Sequence, residues 1–437
     1  MKIIYAIVAF LLISAATHSQ IFKRLADHAK QKAEQKINEK IDKSIDDATS
    51  TKKKKDTIAV NQKSNTETGT VKEKETGSTT SDNTKSDTNA PPSLKTYSKY
   101  DFIPGDKIIV FDDFSGDNIG DYPVKWNTNS GGEIVTASGQ QGNWLMIKKQ
   151  GKFIPDYIKS FPDNFTFEYD IICNEKFNYY SPGLSLYFVT GTNGKEVFDN
   201  SFIPWEKRSG VKFTIDPDAA NSVASVESFE NGDRSFKNEV TTVQFNSNDK
   251  TKVHVSVWRQ QQRLRVYLNE EKVFDLPRAF PADKIYSATL FEIWGSMNND
   301  NDRYLIGNIK LSTGAPDTRN KLITEGKFVT RGILFDVNSA VIKPQSYGTL
   351  KDIANTLKEN PDVKIKIVGH TDSDGDDAMN MNLSKKRAEA VKAALSQDFG
   401  IDASRMQTDG KGETQPVDKN DTPEGKANNR RVEFIKT

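Results

Sequence analysis

The spacing of apolar residues changes four times along the 437-residue chain, and each change predicts a different kind of structure. Ile3 to Ala16 is an apolar run behind the single charge of Lys2, followed by the small residues Ala15 to Ser19. That order is the three-part pattern of a secretory signal, expected over residues 1–19. The run is too short for a good transmembrane helix, and no Cys stands near its end to take a lipid. Residues 20–48 then repeat an apolar side chain every four positions, at Ile21, Leu25, Ala29, Ala33, Ile37, Ile41 and Ile45, with no Pro or Gly between. A stride of four advances roughly 40° beyond each helical turn. The stripe therefore winds around the helix instead of holding one seam, which predicts a solvated charged helix rather than a coiled coil.

The periodicity stops over residues 49–99. The segment opens on Lys52 to Lys55, continues in Thr, Ser, Lys, Asp, Glu and Asn, and holds Pro91-Pro92 near its end. It lacks the apolar surface needed to offset the entropy of ordering and is expected to be a disordered linker.

Period-two alternation dominates residues 100–315. Phe165, Phe167, Tyr169 and Ile171 face one side, with Thr166, Glu168 and Asp170 on the other. The pattern recurs at Leu184, Leu186 and Phe188, and at Val253, Val255 and Val257. Leu264 to Leu268, Asn269-Glu270-Glu271 and Lys272 to Phe274 read as a hairpin, and Tyr304 to Leu311 as a last strand. About two hundred residues of this kind predict an all-β sandwich of jelly-roll type. Cys173 lies in the apolar stretch and reads as a buried, inert thiol.

Residues 320–437 mix the two periods. Strands are expected at Ile333 to Phe335, Val363 to Val368, near Met406 and at Arg431 to Ile435. A helix is expected over Pro344 to Glu359, with Tyr347, Leu350, Ala354 and Leu357 inward. A second, capped by Ser384, would turn Ala388, Val391 and Leu395 inward and end at Gly400. A short helix follows Thr422. The sum is a compact α+β domain with a mixed sheet and helices packed on one face.

Composition narrows the chemistry. The chain has 61 Lys+Arg, 60 Asp+Glu, 4 His and 1 Cys. Lys2 leaves with the signal, so the mature chain is neutral. A nucleic-acid binder would need excess cationic charge. One Cys and four scattered histidines supply neither a disulfide framework nor a thiolate or histidine metal site, so no metal and no cofactor is expected. The loop Asn298 to Asp302 has oxygen ligands suited to calcium, but reads better as a polar turn.

The densest constellation lies near the C-terminus. Gly369-His370-Thr371-Asp372 follows a strand, Gly375 lets the loop turn, and Asn380, Leu383-Ser384 and Arg387-Ala388 follow. Gly410, Gly412 and Pro416 come next, then Asn429-Arg430-Arg431-Val432. A loop carboxylate and a helix-borne guanidinium brought close together suit a ligand carrying both an ammonium and a carboxylate. The same two residues could equally form an internal salt bridge. His370 has no nucleophile or second base beside it in sequence and reads as structural.

These residues resemble the OmpA-like peptidoglycan-binding domain, whose pattern reads TD-x-x-G-x-x-x-x-N-x-x-LS-x-x-RA. Thr371-Asp372, Gly375, Asn380, Leu383-Ser384 and Arg387-Ala388 match it without a gap. Phe335-Asp336-Val337-Asn338-Ser339 upstream and Asn429 to Val432 downstream match as well. The likeness covers the last quarter of the chain, about residues 328 to 437. It implies non-catalytic binding of the diaminopimelate in peptidoglycan stem peptides, with Asp372 on the amino group and Arg387 on the carboxylate. It also implies that Asp336, Asn338, Thr371, Asn380 and Arg431 surround the pocket. The loop departs from the pattern in holding four acids, Asp372, Asp374, Asp376 and Asp377.

The middle region is similar in general style to concanavalin-like and laminin-G-like sandwiches, through Asp112-Asp113-Phe114 and Tyr267-Leu268-Asn269. That likeness does not transfer function. A glycan or a protein is the expected partner class of the sandwich, with Trp258, Trp294 and Tyr267 expected in the core. The expected protein is thus a non-enzymatic envelope component of a Gram-negative bacterium, periplasmic or outer-membrane associated, held to peptidoglycan. Two alternatives stand beside it. One is a β-sandwich glycan hydrolase using Glu168 and Asp170; the other is an outer-membrane β-barrel over the middle region.

Overall fold

The computed structural model describes residues 100–437 apart from 176, 178–179, 192–207, 219–221, 296–301 and 315–316. The expected signal, charged helix and linker lie outside the described residues, as does nearly all of the 298–302 loop.

Fifteen strands build the first part. They are β1 (Lys107–Asp112), β2 (Trp126–Thr128), β3 (Gly132–Thr136), β4 (Asn143–Ile147), β5 (Gly151–Pro155), β6 (Asn164–Cys173), β7 (Leu184–Val189), β8 (Gly210–Asp216), β9 (Val223–Glu230), β10 (Asp233–Thr241), β11 (Lys252–Gln260), β12 (Arg263–Leu268), β13 (Glu271–Leu276), β14 (Ala288–Ile293) and β15 (Tyr304–Thr313). They pair into two antiparallel sheets. One runs β13-β12-β11-β6-β15-β4-β3, with β1 also on β15; the other runs β10-β9-β8-β7-β14-β5-β2. One apolar core lies between them. Phe165, Phe167, Tyr169 and Ile171 of β6 meet Leu184, Leu186 and Phe188 of β7 and Phe291 of β14. Phe167 and Phe188 touch edge to face across the layers, ring centroids 5.5 Å apart, the geometry aromatic quadrupoles favour. Separate sheets with free edges and an apolar interior make a sandwich, not the closed barrel with a polar lumen. No helix among the described residues is long and apolar enough to cross a membrane.

The period-two reading places the inner face of β6 correctly, but its other face is not solvated. Thr166 and Glu168 are buried, because Tyr100–Pro104 lies across this outer surface like a strap. The Gly105 amide donates to Thr166 Oγ1, and Tyr100 and Phe102 pack on Tyr267 and Trp258. Those two aromatics are therefore buried outside the inter-sheet core, while Trp294 is half exposed. Cys173 is buried, and burial pushes its thiol up to about 12.

The second part is a four-stranded sheet in the order β16-β19-β17-β18, built from β16 (Lys327–Thr330), β17 (Ile365–Gly369), β18 (Met406–Gly410) and β19 (Val432–Lys436). The β17–β18 pair is parallel and the others antiparallel. Helices α1 (Tyr347–Glu359), α2 (Asp377–Gln397) and α3 (Pro423–Asn429) accompany it. Leu350, Leu357, Ala388, Val391 and Leu395 pack on Ile365, Ile367 and Phe434.

Three sequence expectations are corrected. The first strand lies at Lys327–Thr330, whereas Phe335 makes an isolated bridge to Ile342. Tyr347 is exposed rather than inward; its ring packs beside Phe399 at the surface. Helix α2 starts seven residues before Ser384, because Asp376 is extended and its side chain accepts from the Met379 amide. Ser384 is instead buried in mid-helix, donating to the Met381 carbonyl and accepting from the Gly412 amide.

The two parts meet along β1. Asn428 of α3 uses its carboxamide as a strand would. It donates to the Ile108 carbonyl at 2.9 Å and accepts from the Ile108 amide at 3.2 Å. Arg331 donates to the Asp106 carbonyl, and Lys321 pairs with the Asp106 carboxylate. Gly348, at the start of α1, lets the helix end sit on the strap. A Cβ there would stand 2.2 Å from the Phe102 carbonyl oxygen.

Candidate functional site

The parallel strands β17 and β18 end side by side at Gly369 and Gly410, and α2 crosses just above them. Both residues must be glycine for that approach. A Cβ on Gly369 would lie 2.2 Å from the Ser384 carbonyl oxygen, and one on Gly410 would lie 2.4 Å from the Lys385 amide nitrogen. The chain leaving β17 is thereby fixed against the helix that carries Arg387. His370 continues the ladder through its amide to the Arg431 carbonyl, and Thr371 donates to the Gly412 carbonyl.

Asp372 is buried. Its Oδ2 is bound by the Arg430 guanidinium, and its Oδ1 accepts from the Asp374 amide at 3.3 Å. Arg387 stands across the cleft on α2. Its Nε donates to the Ser339 carbonyl at 3.0 Å, its Nη2 reaches the Asp336 carbonyl at 3.5 Å, and its guanidinium lies 4.9 Å from the Phe335 ring centre. The strand–loop–helix turn therefore brings Asp372 and Arg387 to one cleft, but the ion pair of Asp372 is made with Arg430. Asp336 and Asn338 belong to the loop that supports Arg387; Asn338 adopts a left-handed backbone, φ 52°.

Asn380 is buried and holds the loop shut from beneath. Its amide donates to the Asp374 carbonyl at 3.0 Å, the Asp372 carbonyl at 3.4 Å and the Glu413 carboxylate at 2.7 Å. The Thr371 hydroxyl is buried at the cleft without a hydrogen-bond partner among the described residues. Arg431 also lines the cleft, but its donors are spent inside the fold, on Glu433, the Gln415 carbonyl and the Asn429 carbonyl. Burial would raise the Glu433 carboxyl, yet His370, Lys327 and Arg431 together hold it far below the usual range. Its Oε1 lies 3.6 Å from His370 Nε2, beyond hydrogen-bond distance, and both ring nitrogens of that buried histidine lack a hydrogen-bond partner among the described residues.

The acidic loop resolves into separate tasks. Asp374 pairs with Lys426 at 2.7 Å, Asp376 caps α2, and Asp377 sits in its first turn, where the helix dipole favours negative charge. No group of three or more His, Cys, Asp or Glu among the described residues is arranged to hold a metal.

The cleft is larger than the strand–loop–helix turn itself. A cavity of about 770 Å³ runs from Asp336, Asp372 and Arg387 to the outer face of the sandwich, at β11, β6 and β15. Phe111 of β1 lies between the two walls, with the Arg430 guanidinium 5.8 Å from its ring centre. Sequence reasoning missed Arg430, Glu413 and the sandwich wall. Arg430 was visible in the Asn-Arg-Arg-Val motif; of the wall, the sequence singled out only Glu168 and Asp170, as a carboxylate pair, and gave no sign that they face the C-terminal domain.

Comparison with known proteins places residues 334–430 in the OmpA family. The chain is 42% identical over 127 residues to a protein named probable lipoprotein YiaD of Escherichia coli strain K12, covering 26% of this chain and 58% of that protein. It is 39% identical over 108 residues to peptidoglycan-binding protein ArfA of Mycobacterium bovis, covering 24% of this chain and 33% of that one. Among solved structures it is similar to the peptidoglycan-associated lipoprotein of Burkholderia pseudomallei, with 30% identity, a TM-score of 0.24, and coverage of 28% of this chain and 98% of that chain. The chain thus spans less than two thirds of the length of these curated relatives.

Proposed function

We propose that this chain, whose C-terminal quarter is an OmpA-family domain, is a non-catalytic envelope protein that holds peptidoglycan through the diaminopimelate of its stem peptides. The observation that carries the reading is the convergence of Asp372, Thr371 and Arg387 on one cleft. A buried carboxylate, an unpartnered buried hydroxyl and a guanidinium stacked on Phe335 face the same space. Asp372 takes the ligand ammonium and Arg387 its carboxylate. Thr371 adds a hydrogen bond, and Asn380 holds the loop in shape. Asp336 and Asn338 keep Arg387 in place from behind, and Arg431 keeps the floor rigid. The similarity to ArfA of Mycobacterium bovis, a peptidoglycan-binding protein, supports this.

The protein is exported by residues 1–19 and works in the periplasm or at the outer membrane, its sandwich at residues 100–315 and its wall-binding domain at 320–437. A hydrolase reading of the sandwich is not favoured. Glu168 and Asp170 are both tied to His254, at 3.4 and 2.7 Å, and Glu168 also to Lys310 at 3.0 Å, which suits holding strands together.

The test is co-sedimentation of the full chain with purified peptidoglycan. Asp372→Ala and Arg387→Ala each abolish it while circular dichroism stays unchanged, a loss of roughly 2–4 kcal/mol, as for removing one partner of a hydrogen-bonded charge pair. Undiminished sedimentation of both variants refutes the assignment.

A further inference from the structure

The cavity that holds Asp372 and Arg387 has a second wall, and it belongs to the sandwich. Three adjacent strands present it: Glu168 and Asp170 from β6, Lys252 and His254 from β11, Asn308 and Lys310 from β15. All but Lys252, whose ammonium reaches Gln140 at 2.7 Å and lies over the Trp144 ring, are locked to each other. His254 Nδ1 lies 2.7 Å from Asp170 Oδ1, the Asn308 amide donates to Asp170 Oδ2 at 2.7 Å, and Lys310 Nζ lies 3.0 Å from Glu168. A polar surface fixed in advance loses little freedom when a ligand meets it.

We infer that the sandwich is the second half of the wall-binding site, reading the peptide portion of the stem that continues beyond the diaminopimelate. The inference rests on the proposed site at Asp372 and Arg387. Diaminopimelate has two ends. If the free end is held by those two residues, the other end leads into peptide bonds on both sides, and that peptide must run through the remaining cavity. A volume of about 770 Å³ falls in the range of ~300–1,000 Å³ that encloses drug-sized ligands, on the scale of a short peptide rather than one amino acid. The wall offers both donors and acceptors, as peptide amides and carboxylates require. Asn308 and Lys252 are exposed, and the Lys310 ammonium has donors beyond the one on Glu168. A sugar would instead call for a bare aromatic platform. The aromatic rings among the described lining residues, Phe111 and Phe335, are each faced by an arginine, Arg430 and Arg387.

Calorimetry on the full chain separates the possibilities, using free diaminopimelate, a diaminopimelate-containing tetrapeptide stem, and the same stem carrying its disaccharide. The unaltered protein is expected to bind the tetrapeptide at least tenfold tighter than free diaminopimelate. The double variant Lys252→Ala with Asn308→Gly removes two exposed wall side chains, and glycine keeps the left-handed backbone at 308, φ 52°. It is expected to lose about tenfold toward the tetrapeptide, the scale of one or two hydrogen bonds, and to bind free diaminopimelate within twofold of the unaltered protein. Asp372→Ala is expected to weaken both. Unaltered tetrapeptide binding by the double variant, with Asp372→Ala weakened, overturns the second wall and leaves the first site standing. Full binding by Asp372→Ala overturns both. A tenfold gain from the disaccharide overturns the commitment to peptide. A melting temperature measured for each variant shows whether a loss of binding is a loss of fold.

Discussion

Asp372 is neutralised by Arg430, the residue beside the buried Arg431, and not by Arg387. The two arginines that face Asp372 are held differently. Arg387 is fixed by two backbone carbonyls and the Phe335 ring. Arg430 lies near Phe111 of the sandwich and is partly exposed. In the proposed complex the ligand ammonium approaches the carboxylate that Arg430 already occupies.

Arg430→Ala is therefore expected to tighten binding of free diaminopimelate severalfold, because a competing internal cation is gone. Stability should fall by about 1–3 kcal/mol, since the buried Asp372 carboxylate loses its partner. Calorimetry of ligand binding with a parallel denaturation curve measures both, and weaker binding by the variant would contradict the competition.

Gly369→Ala tests the seating of α2. The added Cβ meets the Ser384 carbonyl at 2.2 Å, so helix and sheet must separate. Overpacking of this kind costs about 1–3 kcal/mol, and Arg387 moves away from Asp372 with the helix. Denaturation should show the loss of stability and sedimentation with peptidoglycan the loss of binding. Gly375→Ala probes another feature. Nothing lies near a Cβ at that position, but the backbone has φ 102°, so its cost is conformational.

Among the four acids of the binding loop, Asp376 should matter most to folding. Asp376→Ala removes the side-chain cap of α2 and should cost about 1 kcal/mol. Asp374→Ala removes a pair with Lys426 in which the carboxylate is largely exposed, and should be close to neutral. Urea titrations of the two variants give the contrast directly.

His254 makes the sandwich sensitive to alkali. Burial opposes its protonation, but Asp170 and Glu168 outweigh that and raise it to about 9. Lys310 and Lys252 are the other charged groups on this wall. The folded value lies above the unfolded one, near 6.5. The stabilisation is complete below about pH 6.5 and disappears as pH rises through about 9. The melting temperature should fall across that window, and the fall should be lost in His254→Gln. An unchanged profile in that variant would place the alkaline transition elsewhere.

The inner faces of the sandwich were legible because period-two alternation reports which side of a strand avoids water. Phe165 to Ile171 and Val253 to Val257 are buried as that pattern requires. The outer face was not legible. Thr166, Glu168 and Ser256 are polar yet buried, and what covers them, the strap and the C-terminal domain, is remote in sequence or outside the strand pattern. In the C-terminal domain the motif glycines and Asn380 could be read, because spacing fixed them on one turn. The partner of Asp372 could not. Arg430 lies 58 positions away, and only the β19 register and the docking of α3 bring it there. The start of α2 was misjudged because Ser384 has a capping side chain but a helical backbone, whereas Asp376 has both features a cap needs.

The paired hydrogen bonds between Asn428 and Ile108 have a mechanical consequence. One carboxamide grips both the N–H and the C=O of one residue, so the seam resists sliding as well as swivelling. Under the proposed wall binding, such a joint makes the C-terminal domain a bracket and not a tether. Tension on the bound wall would pass to β1 and through it to β15, an interior strand of its sheet.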